Sequence, residues 1–222
     1  MAFVHWPFEP HIIAPLVPPP LKLDTFEGSA WVTLTPFSTT CEVLGHVKLP
    51  GEYRFPETNL RTYVRGPDGH TGLLFLSLDV TNRANTVLGR AMGLPYVLSD
   101  MEVDAGIDWH YAGRRRHDPA TGYDVVLTPT DEPAHSSLDV FLTGRWSAYV
   151  VRGSLVFRHD VVHEPWPLYR AFLHRTEESL LSAAGISRPT SPPVVHVAAG
   201  VSARLGPPVL IFSGSRPSNC RS

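Results

Sequence analysis

The chain has 222 residues, of which 43% are hydrophobic and 18% charged, and its formal net charge at pH 7 is −2. This composition is that of a folded domain, and the near-neutral charge gives no general attraction for nucleic acid or an anionic membrane. No apolar stretch reaches the roughly 18 residues of a membrane span, and the start lacks the pattern of a signal peptide. We therefore expect a cytoplasmic protein with neither a nucleic-acid nor a membrane partner.

Short β-rich runs follow one another along the chain, separated by turn residues and proline-rich segments. In order they are AWVTLTPF (30–37), FPETNLRTYVRG (55–66), GLLFLSLD (72–79), YVLSDMEV (96–103), IDWHYAG (107–113), YDVVLTP (123–129), WSAYVV (146–151), SLVFRHDVV (154–162), AFLHR (171–175) and PVVHVAAGVSARL (193–205). Many short strands with turn signals predict a mainly β barrel or sandwich. We predict one domain over residues 1–210 with a polar C-terminal tail at 211–222, and the sequence leaves a homo-oligomer open.

Helical periodicity is found in two places. The first helix is predicted after the strand at 72–79, with Thr81 or Asn82 as its cap and Gly93 near its end. The second is predicted in TEESLLSAAG (176–185), where Thr176 is the expected cap. We expect both helices to cover a sheet and fewer than a quarter of the residues to be helical.

The turn sequence GPDGH (66–70) sets the pairing of the strands on either side of it. With its three central residues as the loop of a bulged hairpin, Gly66 faces His70. The predicted pairs are then Arg61 with Phe75, Tyr63 with Leu73, Asn59 with Ser77, and Glu57 with Asp79.

Side chains alternate between the two faces of a strand, and the two faces of the segment 55–66 differ in polarity. The predicted buried face consists of apolar or neutral residues: Thr58, Leu60, Val64, Leu74, Leu76 and Leu78. The other face is polar, with Glu57, Asn59, Arg61, Tyr63 and Arg65, but it also carries Leu73 and Phe75. This mixture is typical of a partly dry pocket, and a solvent-facing sheet surface is the alternative.

Several segments, in this order and spanning nearly the whole chain, resemble the uncharacterised YqjF-like family, domain of unknown function 2071. They are FVHWPFEPHIIAPLVPPPLKLDTFEGSAWVTLTPF (3–37), FPETNLRTYVRG (55–66), GLLFLSLD (72–79), GLPY (93–96), HEPWPL (163–168) and PPVVHVAAGV (192–201). That family belongs to the acetoacetate decarboxylase-like superfamily. The resemblance implies a closed, cone-like antiparallel β barrel with a small-molecule cavity and a few short helices, and it implies no settled function.

The resemblance also shows what this chain lacks. Acetoacetate decarboxylases carry a segment that reads roughly Gly-Tyr-Pro-Lys-Lys, one of whose lysines forms the Schiff base. The corresponding stretch here is GLPYV (93–97), without a lysine. Arginine cannot replace that lysine because its guanidinium stays charged. The two lysines of the chain, Lys22 and Lys48, lie in segments that favour solvated surface charges, so we predict no Schiff-base decarboxylase.

The polar face supplies the candidate site, since Glu57 lies in a region similar to the glutamate-bearing strand of the decarboxylases. For a small anionic or carbonyl-bearing ligand, Arg61 is the expected carboxylate clamp and Glu57 the expected general acid or base. The remaining candidates are proton donors and lining residues: Tyr63, Tyr96, Asn59, Phe75 and Asp79. In the alternative interpretation, Arg61 and Arg65 simply neutralise Glu57 and Asp79 across the strands.

No cofactor or metal is predicted. Of the eleven histidines, His159 and His163 lie four apart on a strand, too far from each other for one ion unless the chain turns. Cys41 and Cys220 are far apart in sequence, and a structural disulfide is not expected.

Two functions of different class are compatible with these residues. One is an enzyme that uses acid/base and electrostatic catalysis on a small metabolite. The other is a non-catalytic carrier or sensor that has kept the cavity and lost the decarboxylase chemistry.

Overall fold

The computed structural model describes residues 1–40 and 54–213; Cys41, Lys48 and Cys220 lie outside them. The strands are β1 (Ala2–Phe8), β2 (Lys22–Leu23), β3 (Ala30–Thr40), β4 (Arg54–Arg65), β5 (Thr71–Val80), β6 (Tyr96–Ala105), β7 (Trp109–Arg115), β8 (Asp118–Pro133), β9 (Ser147–Arg152), β10 (Leu155–Val162), β11 (Tyr169–Glu178), β12 (Val194–Val197), β13 (Arg204–Leu205) and β14 (Val209–Ser213). The helices are α1 (Pro10–Ile13), α2 (Arg83–Ala91), α3 (Ser137–Thr143) and α4 (Leu180–Ala183). With 55% strand and 14% helix, the predicted mainly β class is confirmed. Among these helices none has the length and apolarity needed to span a bilayer.

Nine strands close into a barrel. Their order is β5, β6, β7, β8, β11, β12, β1, β3 and β4, and pairing of β4 with β5 completes the ring. Strand β5 has two neighbours on its other edge, because Leu73 and Leu74 pair with β9 while Leu78–Val80 pair with β6. The strands β9, β10, β13 and β14 therefore branch from the barrel at β5. Strand β14 crosses the boundary that the sequence predicted between domain and tail.

The barrel interior is filled by one hydrophobic core to which all nine strands contribute. Alternate residues of each strand point inward, among them Trp6, Leu34, Leu60, Val125 and Leu127. Helix α1 and helix α4 pack against the same core. Leu60 is fully buried in it, which agrees with the apolar face predicted for β4.

The outward face of part of the barrel is buried as well. On β12, β1, β3, β4 and β5 it is covered by α3, by β9 and β10, and by the segment 163–168, which together we call the outer layer. Leu142 of α3 packs there against Trp31 and Tyr63. In contrast, the outward side chains of β6 are exposed, including Asp100 and Glu102. About half of the barrel wall is therefore buried on both its inner and its outer face.

The predicted register of the β4–β5 hairpin is confirmed next to the turn. The Gly66 amide donates to the His70 carbonyl at 2.9 Å, and the backbone of the loop reverses between them. The pairs Arg61–Phe75 and Tyr63–Leu73 form as predicted.

Further from the turn, a β-bulge at Leu76 shifts the register by one residue. Thr58 therefore pairs with Asp79, and Glu57 pairs with Val80. Because side chains alternate, this shift turns Asp79 towards the barrel interior and Leu78 towards the outer layer. The predicted pairs Asn59–Ser77 and Glu57–Asp79 are therefore wrong.

The helix predictions were partly correct. Helix α2 begins after Asn82, whose side chain accepts from the amides of Ala84 and Asn85, as expected of a cap. The predicted cap at Thr176 is wrong, because β11 continues through that residue and α4 begins only after Ser179. Strand β1 and helix α3 were not predicted, although the Ser136–Asp139 capping box of α3 is visible in the sequence.

Replacing Leu60 by alanine should lower the free energy of unfolding by about 2–5 kcal/mol, since it leaves a cavity among side chains from all sides of the barrel. Urea unfolding followed by circular dichroism measures this loss. Leu88→Ala is the control, because Leu88 lies on α2 and is 57% exposed, so its loss should stay within about 0.5 kcal/mol. Equal losses in the two variants would contradict the assignment of the core.

Candidate functional site

The outward face of β1, β3 and β4 carries buried polar side chains beneath the outer layer. In the observed register Arg61 of β4 lies opposite Thr33 of β3, and Thr33 lies opposite His5 of β1. These three side chains are between 0% and 8% exposed. The part of the polar face around Arg61 therefore lies between the barrel wall and its outer layer, whereas Arg65 at the end of β4 is exposed and pairs with Asp24.

Arg61 is a buried cation. Its guanidinium carbon lies 5.5 Å from the centre of the Phe3 ring, and its Nε atom has no hydrogen-bond partner within the described residues. No salt bridge of Arg61 is found in this part of the chain, and neither Glu57 nor Asp79 pairs with it. Burial lowers the pKa of Arg61, but a guanidinium remains charged in proteins.

Further buried polar atoms without a hydrogen-bond partner surround Arg61 on the same face. They are Asn59 Oδ1, Thr35 Oγ1 and Trp31 Nε1, counted over residues 1–40 and 54–213. Asn59 lies opposite Thr35 in the register of β3 and β4. Each buried polar group left unpaired costs about 1–3 kcal/mol, and folded proteins contain few of them. These unpartnered atoms on the same face as a buried cation make this face the candidate site for a polar ligand.

Glu57 lies at the far end of this face, where it pairs with Phe37 and Val80. Burial raises the pKa of its carboxyl group to about 7, because loss of water disfavours the charged form. A carboxyl group with this pKa exchanges protons near neutral pH, as a general acid or base must.

Tyr63 begins a chain of buried hydrogen bonds that leads away from Arg61. Its hydroxyl is 2.6 Å from Thr33 Oγ1, which is 2.8 Å from His5 Nδ1. His5 Nε2 is 3.1 Å from His196 Nδ1, and His196 Nε2 is 2.9 Å from Asp139 Oδ1. We call these five residues the histidine chain.

Sequence reasoning identified Tyr63 but missed the rest of the histidine chain. The available signal was a polar residue within an apolar strand: His5 stands between Val4 and Trp6, and His196 between Val195 and Val197. A histidine in such a position is usually a satisfied core residue, and only tertiary structure shows that the two meet.

The other predicted site residues are distributed over three places. Phe75 lies on the side of β5 that faces the outer layer. It packs in the hydrophobic cluster that contains Tyr63 and in the one that contains Tyr96. Tyr96 packs on α2, where its ring would collide with any side chain at Gly89. Asp79 is in the barrel interior, where its carboxylate accepts bonds from Ser99 at 2.8 Å and from Arg115 at 2.9 and 3.0 Å, so the structure does not bring Asp79 to Arg61.

A cleft of about 140 Å³ lies beside this region, lined by Phe75, Leu94, Pro95 and Val150 among others. Gly93 of the lysine-free stretch 93–97 also lines this cleft, and its lining is mostly apolar. A larger cleft of about 550 Å³ lies at the end of the barrel near Trp6 and Glu178. Among residues 1–40 and 54–213, no three histidine, cysteine or acidic side chains are close enough to hold a metal ion.

Over residues 1–202 the sequence matches the family of uncharacterized conserved proteins called domain of unknown function 2071. The uncharacterized protein YqjF of Bacillus subtilis (strain 168) is 34% identical over 202 residues, which cover 88% of this chain and 83% of that protein. The chain therefore belongs to this family, as its sequence segments indicated.

Solved structures with the same fold belong to acetoacetate decarboxylase-like enzymes. The enduracididine biosynthesis enzyme MppR complexed with pyruvate has a TM-score of 0.65 at 14% identity, covering 94% of this chain and 86% of that one. The acetoacetate decarboxylase of Legionella pneumophila has a TM-score of 0.64 at 11% identity, covering 96% and 85%. An acetoacetate decarboxylase-like enzyme of Sphingomonas wittichii RW1 has a TM-score of 0.65 at 13% identity, covering 96% and 90%. The predicted fold is thus confirmed.

The raised pKa of Glu57 predicts how stability depends on pH. Between the ordinary pKa of 4.5 and about 7, the folded protein binds a proton that the unfolded chain has released, so the free energy of unfolding falls as pH rises through this window. Glu57→Gln should remove that fall, which amounts to about 3 kcal/mol at most. Urea unfolding at several pH values between about 4 and 8 measures it.

The exposed Glu102 provides the control, since Glu102→Gln should leave the slope of the wild-type curve in place. A Glu57→Gln variant with the wild-type pH dependence would mean that the Glu57 carboxyl group is ordinary.

Proposed function

We propose that this member of the domain of unknown function 2071 family binds a small carboxylate-bearing metabolite with Arg61 as its clamp, and acts on it by acid/base chemistry without a Schiff base. The observation that carries this proposal is the buried guanidinium of Arg61, whose Nε has no partner in the described residues. A buried cation without a counter-charge costs several kcal/mol. A carboxylate ligand would offset that cost with two parallel hydrogen bonds.

The surroundings of Arg61 favour a ligand with further acceptors and donors. Asn59 and Thr35 offer unpartnered oxygen atoms on the adjacent register position, and their hydroxyl and amide groups suit a carbonyl or hydroxyl next to the carboxylate. The fold neighbour MppR has been solved complexed with pyruvate, a small 2-oxo carboxylate. That structure supports the same class of ligand here.

Acid/base chemistry is the part of the decarboxylase function that this chain can retain. The stretch 93–97 has no lysine, and Lys22 is exposed on β2. Glu57, with a pKa of about 7, is on the same face of β4 as Arg61 but four residues along the strand, so it can exchange a proton only with a ligand that extends from Arg61 over that distance.

A carrier or sensor is the second candidate, and the missing lysine favours it. Both candidates need the same clamp, but they differ in what happens to the ligand. A carrier returns its ligand unchanged, whereas an enzyme converts it, and nuclear magnetic resonance of the ligand during prolonged incubation distinguishes the two.

Arg61→Met tests the clamp, because methionine keeps the length of the side chain and removes its charge. The wild type should be stabilised by small carboxylates such as pyruvate, by about 5–10 °C in melting temperature when the ligand is at a hundred times its Kd. The variant should lose this response. Without ligand, the Arg61→Met variant should melt at the wild-type temperature or above. Arg61 forms no ion pair with the described residues, so the substitution breaks none.

The matched control is Arg114→Met, which removes an exposed arginine of β7 and should leave the response to carboxylates unchanged. A wild type that no small carboxylate stabilises, or a variant that responds as the wild type does, would contradict the clamp.

The absence of a Schiff base is tested with borohydride and acetoacetate or pyruvate. Intact-protein mass spectrometry should show no covalent adduct after reduction, because no lysine stands at 93–97. A stoichiometric adduct on Lys22 or Lys48 would contradict this, and an acetoacetate decarboxylase treated in parallel is the positive control.

A further inference from the structure

The larger of the two clefts lies at the end of the barrel where strand β11 passes into helix α4, and we call it the α4 cleft. Its volume is about 550 Å³, which is within the range of pockets that hold small molecules. Its lining comes from β1, β11, α4 and the segment after α4, and includes Trp6, Thr176, Glu178, Leu181 and Ile186. The α4 cleft therefore has room for a ligand of its own.

One part of this lining is apolar and rigid. Trp6 is 4% exposed and packs in the barrel core, together with Leu181 and Ile186. The Ile186 amide donates to the Leu181 carbonyl at 2.9 Å, and Gly185 before it has a φ of 80°. This is the Schellman turn that often ends a helix, and it holds the two aliphatic side chains together. A ligand thus meets a preformed apolar surface.

Thr176 and Glu178 supply the polar part of the lining. Thr176 pairs with Val125 in the register of β8 and β11, and Glu178 pairs with Tyr123. Both partners belong to the core inside the barrel. Since residues paired across neighbouring strands point to the same face, Thr176 and Glu178 also point to the inside of the barrel at this end.

Both polar groups lack a partner that a ligand can supply. Thr176 Oγ1 is buried and has no hydrogen-bond partner in the described residues. Glu178 Oε2 accepts the Leu181 amide at 2.9 Å, but no cation pairs with Glu178 in residues 1–40 and 54–213. Burial raises the pKa of Glu178, against the opposing effect of the α4 amides. The cleft therefore holds a carboxylate without a counter-charge beside an unused hydroxyl.

The other charged groups at the α4 cleft are exposed to water. Arg188 and Glu177 both line it and are both exposed, and Glu177 pairs with Asp124, on the face of β11 opposite to that of Glu178. Water and salt screen charges in such positions. The charge that faces the inside of the cleft is therefore the negative charge of Glu178.

This lining discriminates between anionic, neutral and cationic ligands. Glu178 repels an anion, and a neutral apolar molecule leaves the carboxylate without a counter-charge. A primary ammonium group carries one positive charge and three N–H donors, which are enough for both Glu178 and Thr176. An apolar body attached to that group can cover Trp6, Leu181 and Ile186, so the chemistry of the lining matches an apolar amine.

We propose that the α4 cleft is a second binding site, which takes a small primary amine with an apolar body. The ammonium group donates to Glu178 and Thr176, and the apolar body packs on Trp6. The site is independent of the proposed function, because Trp6 points into the barrel core whereas His5 next to it points outwards, towards the Arg61 face. The barrel wall thus separates the two sites.

Isothermal titration calorimetry with phenethylamine at neutral pH tests this site. The wild type should bind one molecule with a Kd of about 1 mM or lower. Phenethyl alcohol and hydrocinnamate have a similar shape but a neutral and an anionic end, and each should bind at least about tenfold more weakly than the amine. Phenethylamine that does not bind, or that binds no better than phenethyl alcohol, overturns the inference.

Two variants locate the ammonium group. Glu178→Gln removes the charge and keeps an acceptor for the Leu181 amide, and it should weaken binding of phenethylamine by about tenfold or more. Thr176→Val removes the hydroxyl at constant shape and should weaken binding by about threefold to tenfold. Without ligand, Thr176→Val should melt at the wild-type temperature or above, since it removes a buried atom without a partner. This variant decides the test if Glu178→Gln does not fold.

The controls separate this site from general charge effects and from the Arg61 site. Glu132→Gln removes an exposed carboxylate of β8 and should bind phenethylamine as the wild type does. Arg61→Met should also keep this affinity while it loses the response to carboxylates. Equal weakening in Glu132→Gln and Glu178→Gln, or loss of amine binding in Arg61→Met, overturns the inference and leaves the proposed function to its own test.

Discussion

The requirement that both faces of five neighbouring strands be buried governs this structure. On β12, β1, β3, β4 and β5 the inward residues fill the barrel, and the outward residues lie under α3, β9 and β10. The polar side chains of that face that lie beneath the outer layer, such as Arg61, Thr33 and His5, are buried and must find a partner in the protein or in a ligand. Some of these side chains find partners in one another and form the histidine chain. Around Arg61, several polar atoms have no hydrogen-bond partner in the described residues. The fold thus creates the site by covering a polar face.

The bulge at Leu76 decides which carboxylates reach that face. In an unbroken hairpin Asp79 would lie opposite Glu57 on the outward face. The extra residue turns Asp79 into the interior, where Arg115, Ser77 and Ser99 satisfy both of its oxygens. Glu57 and Arg61 stay outside without an opposite charge in the described residues, so burial shifts their pKa values in the direction of the neutral forms. The one-residue bulge therefore places the ion pair of Asp79 and Arg115 in the barrel interior. It leaves Glu57 and Arg61, whose pKa values are shifted, on the outward face.

The sequence predicted what depends on local pattern. The alternation of 55–66, the GPDGH turn and the cap at Asn82 were sufficient for the strand, the hairpin loop and α2. It did not predict the bulge, because Leu76 continues an apolar run that reads as regular strand in either register. It also missed His5, His196 and Asp139, which are 191 and 57 residues apart in sequence and meet only when the barrel closes. The family resemblance predicted that the barrel closes. It did not predict the outer layer, which lies outside the barrel and covers the candidate site.

The buried charges around Arg61 are not balanced within the described residues. Arg61, Arg145 and Arg170 face the site with positive charge, while Asp24 and Asp139 are the carboxylates that pair with the last two. In the described residues Arg61 is the cation of this group without a carboxylate partner, and burial is the main cause that lowers the pKa values of His5 and His196. Arg61 is also one of the charges that lower the pKa of His5, after burial and His196. The charge of Arg61 therefore acts strongly on the side chains around it, because they are buried and little water screens it.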